Sequence, residues 1–150
     1  CLLMATFAGD VNRKNLQNKI QIPMIKSGVM GKLINNRFVA MNVAKTLLGD
    51  VKDLGMMNAF VDAFRKSDLK SLVPILTAFV VEDRYAQLDK VSLPCTIIVG
   101  TSDKTTPPFH TDDLHAGIKN SKLVRVPTKG HMLNWEAPVA LVDEIIALAS

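Results

Sequence analysis

The chain has 150 residues, the length of one ordinary domain or of part of a larger one. Hydrophobic residues make up 48% and charged residues 21%, which excludes a disordered chain, and the longest apolar runs are too short to span a bilayer. The net charge is +4, but the chain has only one tryptophan and one tyrosine, and no basic run is interleaved with aromatic residues. This composition argues against a nucleic-acid-binding protein.

The positive charge is uneven along the chain. Residues 1–52 hold eight lysines and arginines against two aspartates, a net of +6, whereas the remainder has a net charge of −2. The simplest interpretation is a solvated basic helical face, and the alternatives are an anionic substrate or contact with a membrane surface. Two cysteines are too few for a disulfide framework, so we expect a reducing, cytoplasmic location.

The first half of the chain begins with a strand and continues with helices. Residues 1–8 form an apolar run closed by Gly9 and Asp10, which predicts a buried strand followed by a loop. Between residues 10 and 90 apolar residues recur at helical spacing, as in the series Val39, Val43 and Leu47. The glycines of this region predict the breaks between several short helices; they are Gly28, Gly31, Gly49 and Gly55.

The second half alternates strands and helices. The pattern predicts strands at 92–100 and 122–127 and helices at 108–120 and 138–150, with loops at 101–108 and 128–137. This order is typical of a parallel α/β sheet, in which functional side chains lie beyond the carboxyl ends of the strands. Asp103 and His131 each follow a predicted strand, so we expect the carboxylate and the imidazole to meet at one edge of the sheet.

The segments LPCTIIVGTSDKTTPP and LVRVPTKGHMLNWEAPVALVDEIIALA carry a resemblance to a known family. A strand runs into the G-x-x-D segment that ends at Asp103, the next strand is followed by Gly130-His131, and Glu136 and Pro138 open the last helix. This order resembles the C-terminal part of the α/β-hydrolase fold superfamily. The resemblance implies that residues 1–9 are a core strand, 10–90 a helical cap (lid) insertion, and 91–150 the C-terminal α/β core.

The same resemblance implies roles for two residues: Asp103 would be the acid and His131 the base of a catalytic triad. The family's nucleophile motif, G-x-S-x-G, is absent from these 150 residues, and Ser27-Gly28 lacks the preceding glycine and strand. We therefore expect the nucleophile to lie upstream, in an N-terminal half present as a preceding segment or as a separate chain. By itself this chain would then be inactive, with an unpaired strand edge that favours pairing with another chain or a homo-oligomer.

The resemblance implies a carboxylic ester hydrolase (esterase or lipase-like) acting on a small apolar substrate. The alternatives are haloalkane dehalogenase, epoxide hydrolase or carbon–carbon hydrolase chemistry, or a non-catalytic hydrolase-like protein that binds a ligand. The sequence shows no cluster of metal-ligand residues and no glycine-rich phosphate loop, so we expect no metal and no cofactor.

Several other residues are weaker candidates. Asp10 is the rival acid, because some members of the superfamily place the acid after the strand that precedes the cap. Met132, next to the base, is a candidate substrate contact. We expect His110 and His115 to be surface residues of the predicted helix, with metal binding beside Asp112 and Asp113 as the alternative; we expect Trp135 to pack its loop against the core.

Overall fold

The computed structural model describes residues 1–11, 16–51 and 53–149. Three strands form one parallel sheet in the order β1-β2-β3, with β1 at Leu2–Met4, β2 at Cys95–Gly100 and β3 at Ser121–Val126. All six residues of β2 are buried, as expected for a β-branched run in the middle of a sheet. The parallel α/β sheet confirms the predicted fold class.

Most of the chain between β1 and β2 is helical. The helices are α1 (Leu16–Lys26), α2 (Val29–Leu33), α3 (Arg37–Leu47), α4 (Leu54–Lys66) and α5 (Val73–Val81), with short 3₁₀ helices at Leu69–Leu72 and Tyr85–Lys90. After β2 come α6 (Phe109–Gly117), β3, α7 (Leu133–Glu136) and α8 (Pro138–Ala149). None of the described helices is long and apolar enough to cross a membrane.

The helices before β2 pack around their own apolar core. Ala40 and Ala44 on α3 are fully buried against Met57, Phe60 and Val61 of α4, because small side chains let two helices approach closely. The side chain of Asn36 caps α3 and that of Asp53 caps α4, each by accepting backbone N–H groups of the first turn.

A second core lies against the sheet. Ile97 of β2 packs there with Leu114 of α6 and with Ile118, the residue that follows α6. Leu88 of the second 3₁₀ helix belongs to the same cluster. Cys95 is buried in the same cluster. One core thus lies within the helical segment and the other lies against the sheet.

Several elements differ from the sequence prediction in length or in exposure. The first strand is shorter than residues 1–8, because Ala5 adopts a left-handed conformation with φ of 45° that ends the extended run after Met4. Helix α7 lies within the predicted loop 128–137. The last helix, α8, lies where it was predicted, but its apolar residues Val142 and Ile145 are 50% and 48% exposed.

The basic residues of the first 52 positions are solvated wherever the structure describes them. Arg13, Lys14 and Lys52 lie outside the described residues. The other five are exposed: Lys19, Lys26, Lys32, Arg37 and Lys45. Arg37 pairs with Asp62 at 2.8 Å, with both side chains about half exposed.

Candidate active site

The ends of β2 and β3 bring two loops together. Gly100 and Val126, the last residues of the two strands, are paired across the sheet. Beyond them the backbone N–H of Thr101 donates to the carbonyl of Val126 at 3.0 Å, and that of Ser102 donates to the carbonyl of Lys129 at 2.9 Å. The loops that carry Asp103 and His131 therefore leave the sheet side by side, as parallel strands require.

Asp103 is held in a tight turn. Its Oδ1 accepts the backbone N–H groups of Thr105 at 2.8 Å and Thr106 at 2.9 Å, and its side chain is fully buried. These two bonds fix the plane of the carboxylate and leave Oδ2 facing the histidine loop. A buried carboxylate needs such donors because it has lost its hydration.

The Asp103 carboxylate meets the His131 imidazole. Oδ2 lies 2.9 Å from Nδ1 of His131, whose side chain is 25% exposed. An ionised carboxylate accepts only, so it selects the tautomer with the proton on Nδ1 and leaves Nε2, on the opposite side of the ring, able to take up a proton. This is the contact between a carboxylate and an imidazole that the order of strands and loops predicted.

Thr106 contacts both members of the pair, and the sequence analysis did not predict this contact. Its Oγ1 lies 2.9 Å from Asp103 Oδ2, 3.1 Å from His131 Nδ1 and 2.9 Å from the carbonyl oxygen of Ala5. The hydroxyl thus ties the end of β1 to both members of the pair. The only local signal is its place three residues after Asp103, where a hydroxyl closes such a turn.

A cavity of about 370 Å³ lies beside His131. Its walls come from the end of β1 and from the helices between β1 and β2, including Phe7, Ile25, Leu47 and Phe79. The polar side chains in its described lining are His131 and four threonines: Thr6, Thr46, Thr105 and Thr106. An apolar pocket with a few polar groups at one end is typical of small-molecule sites.

The other candidates lie elsewhere. Asp10 is exposed, with its backbone N–H bonded to the carbonyl of Glu82, and Asp103 is the carboxylate in contact with His131. Met132 packs against the core of the helical segment and is not among the described residues that line the cavity. Trp135 packs edge-on against Phe60 at 5.9 Å.

The prediction that His110 is a surface residue is wrong. His110 is fully buried and lies four residues before Leu114, on the face of α6 that packs against the sheet layer. Its Nδ1 is 3.1 Å from the Tyr85 hydroxyl, and its ring lies against Phe7 and Phe109. His115 is exposed, as predicted, and bonds to Ser121.

No nucleophile is bonded to the Asp103–His131 pair in the described part of the chain. Across residues 1–11, 16–51 and 53–149, no serine or cysteine side chain is hydrogen-bonded to the His131 ring. The same residues contain no group of three His, Cys, Asp or Glu side chains that could hold a metal ion.

Solved structures share this architecture. MGS-M2, an α/β-hydrolase enzyme from a Medee basin deep-sea metagenome library, superposes with a TM-score of 0.73 at 18% identity, covering 98% of this chain and 54% of that protein. The chain has the α/β-hydrolase fold. The pair formed by Asp103 and His131 therefore stands on an α/β-hydrolase scaffold, as the resemblance in the sequence implied.

Other structural neighbours include a thermophilic esterase from Thermogutta terrifontis, with a TM-score of 0.75 at 16% identity over 97% of this chain and 53% of that one. The enol-lactonase from Burkholderia xenovorans LB400 has a TM-score of 0.78 at 17% identity, over 99% and 55%. The chain spans about half the length of these solved proteins.

In sequence, the chain is 33% identical over 64 residues to the polyketide synthase ThaQ of Burkholderia thailandensis, a match covering 43% of this chain and 3% of that protein. No protein-family model matches the sequence.

Proposed function

We propose that this chain supplies the acid, the base and the substrate pocket of a carboxylic ester hydrolase with a Ser–His–Asp triad. The observation that carries the proposal is the 2.9 Å contact between Asp103 Oδ2 and His131 Nδ1 beside an apolar cavity bordered by the same imidazole. The serine and the oxyanion hole come from outside residues 1–150.

The proposed chemistry follows from the tautomer of His131. Nε2 takes the proton of the serine hydroxyl as its oxygen attacks the acyl carbon, and Asp103 stabilises the imidazolium that forms. The imidazolium then returns the proton to the departing alkoxide, which leaves an acyl-enzyme. Nε2 next takes a proton from water as the water oxygen attacks the acyl carbon. The imidazolium then returns that proton to the serine oxygen as its bond to the acyl carbon breaks, which regenerates the serine and releases the carboxylic acid.

The pocket supports an apolar substrate. Residues 10–90 are proposed to act as the cap, because their described helices supply most of the cavity wall. His131 is the one described lining side chain that can carry a charge, so the acyl or alcohol group held there is expected to be neutral and apolar. Methionines 24, 30 and 41 lie in or against the core of this segment, where flexible side chains can adapt the wall.

The first prediction concerns His131 in the intact protein that contains this chain. We expect His131→Ala to reduce hydrolysis of p-nitrophenyl butyrate by about 10⁴-fold or more, because the serine then has no base. The measurement is the rate of p-nitrophenolate release. His115→Ala removes an exposed histidine and is the matched control, with activity expected to remain at the wild-type level.

Activity of His131→Ala equal to that of His115→Ala would show that His131 is not the base. The residue at the nucleophile position upstream of Cys1 separates the alternatives: serine supports ester hydrolysis, whereas aspartate supports dehalogenase or epoxide hydrolase chemistry. Tight binding of an apolar ligand by the intact protein without any turnover would instead support a non-catalytic, ligand-binding role.

A further inference from the structure

Glu136 is a buried carboxylate that bonds to two distant parts of the backbone. It lies at the end of α7 and is 8% exposed. Its Oε2 accepts the N–H of Gly49 at 2.7 Å, and both of its oxygens lie 3.0 Å from the N–H of Gly130. One carboxylate therefore joins the turn that follows α3 to the residue that precedes His131.

These two backbone segments touch each other directly. The N–H of His131 donates to the carbonyl of Leu47 at 2.7 Å, and that of Asp50 donates to the carbonyl of Thr128 at 2.9 Å. A Cβ on Gly130 would lie 2.4 Å from the nitrogen of Gly49, so no side chain fits between the segments. The turn after α3 is consequently part of the surface on which the histidine loop rests.

The position of the imidazole depends on this junction. The backbone of Gly130 determines the position of the His131 backbone and so of its ring. The hydrogen bond from the ring to Asp103, at 2.9 Å, is lost if the ring moves far from that position. Without Glu136, the N–H groups of Gly49 and Gly130 would lose their acceptor in a buried place, and the segments would move apart to reach water. The carboxylate itself is not among the described residues that line the cavity, so it acts through the backbone.

We propose that Glu136 is a positioning residue that fastens the turn after α3 to the histidine loop and thereby holds His131 against Asp103. The inference rests on the proposed function, in which His131 is the base. It also gives the helical segment a direct mechanical connection to the base, because a shift of α3 at Leu47 is transmitted to the loop through Gly49 and Glu136.

The test compares three variants of the intact protein. Glu136→Ala removes the acceptor, Glu136→Gln keeps one oxygen in the place of Oε2, and Asp143→Ala removes an exposed carboxylate from the neighbouring helix as control. The Nδ1–H proton of His131 is followed by NMR without substrate. We expect its resonance to shift or broaden in Glu136→Ala and to remain in place in the other two variants.

Kinetics with p-nitrophenyl butyrate give the second readout. We expect kcat to fall about 10- to 100-fold in Glu136→Ala with little change in KM, since a displaced base slows proton transfer without altering the pocket. Glu136→Gln should stay within about threefold of the wild type, since its oxygen can still accept both N–H groups. An Nδ1–H resonance and a kcat in Glu136→Ala that match those of Asp143→Ala would overturn the inference.

The two proposals can fail separately. A resonance that responds to Glu136→Ala in a protein that hydrolyses no ester would support the positioning role and refute the proposed function. Where Glu136→Ala does not fold, amide hydrogen exchange in the unaltered protein decides. Slow exchange at both Gly49 and Gly130 in the unaltered protein that is retained in Glu136→Gln supports the junction, and rapid exchange at both in the unaltered protein overturns it.

Discussion

Asp103 and His131 illustrate how a buried charged residue is accommodated. The carboxylate accepts two backbone N–H groups on one oxygen and faces the imidazole and the Thr106 hydroxyl with the other. The threonine has one proton and two acceptors, Asp103 Oδ2 and the carbonyl of Ala5, each at 2.9 Å. Its hydroxyl therefore connects the pair to the end of β1, on the wall of the cavity.

Replacing Thr106 by valine keeps the shape of the side chain and removes only the hydroxyl. We expect Thr106→Val to lower the free energy of unfolding by about 1–2 kcal/mol, because the single hydroxyl proton shared by the Ala5 carbonyl and the Asp103 carboxylate is lost. Ester hydrolysis by the intact protein should fall about tenfold, the effect of losing one hydrogen bond of about 1.4 kcal/mol at the pair.

Urea denaturation and p-nitrophenyl ester assays measure the two effects. Thr77→Val is the control, because the Thr77 hydroxyl is exposed and bonds only within its own helix. Equal stability and equal activity in the two variants would mean that the Thr106 hydroxyl contributes nothing to the pair.

At the residue scale, the sequence predicted the two residues in contact but not the third. Asp103 and His131 follow strands that the apolar pattern marks clearly, so their meeting at one sheet edge follows from parallel topology. Thr106 acquires its role from Ala5, which is 101 residues away along the chain and is carried there by the fold. His110 shows the same limit, since a helix alone does not say which of its faces is covered.

At the element scale, the glycines of the helical segment have different structural roles. Gly31 and Gly55 lie inside α2 and α4 and do not break them, contrary to the sequence prediction, because the Asp53 cap starts α4 ahead of Gly55. Gly49 instead allows a close approach. A Cβ there would lie 2.2 Å from the carbonyl oxygen of Thr128 and 2.5 Å from the nitrogen of Gly130.

This difference gives a matched pair of substitutions. Gly49→Ala is expected to lower the free energy of unfolding by about 3 kcal/mol or more, because the methyl group meets backbone that cannot rotate away. Gly31→Ala adds the same methyl group where no atom beyond its chain neighbours and its own helix backbone lies within 4 Å, and it should raise stability by about 0.5–1 kcal/mol through helix propensity.

Chemical denaturation of both variants measures these shifts. A loss in Gly49→Ala no larger than the change in Gly31→Ala would mean that the turn after α3 does not rest on the histidine loop. Gly49→Ala is also expected to reduce ester hydrolysis by the intact protein, since the same contact supports His131.

At the scale of the whole molecule, two apolar surfaces have no covering element within the described residues. Strand β1 is at the edge of the three-stranded sheet, and α8 exposes Val139, Val142 and Ile145 at 72%, 50% and 48%. An open strand edge and a contiguous apolar helix face are features that proteins normally cover. We propose that the remaining half of the hydrolase fold covers them.

We therefore expect the 150-residue chain by itself to self-associate and to hydrolyse no ester. The double substitution Val142→Lys and Ile145→Lys should move the average mass toward the 16.4 kDa of a monomer, because lysines make the α8 face soluble. Leu54→Lys, at a leucine on α4 that is 73% exposed, is the control and should leave the association unchanged. Sedimentation equilibrium measures the mass.

A chain that sediments as a monomer at every concentration would contradict the idea that these surfaces are covered in the intact protein. Restoration of ester hydrolysis when the missing half is added as a separate polypeptide would support it directly.

The sequence alone determined the alternation of strands and helices after residue 91 and the placement of Asp103 and His131 at one edge of a parallel sheet. Local apolar patterns and turn residues encode both, because they depend on neighbours a few positions apart. Only the tertiary structure decided which carboxylate meets the histidine, how Thr106 reaches Ala5, and how Glu136 holds Gly49. Those contacts join residues up to 101 positions apart, and they exist only once distant parts of the chain have come together in the folded protein.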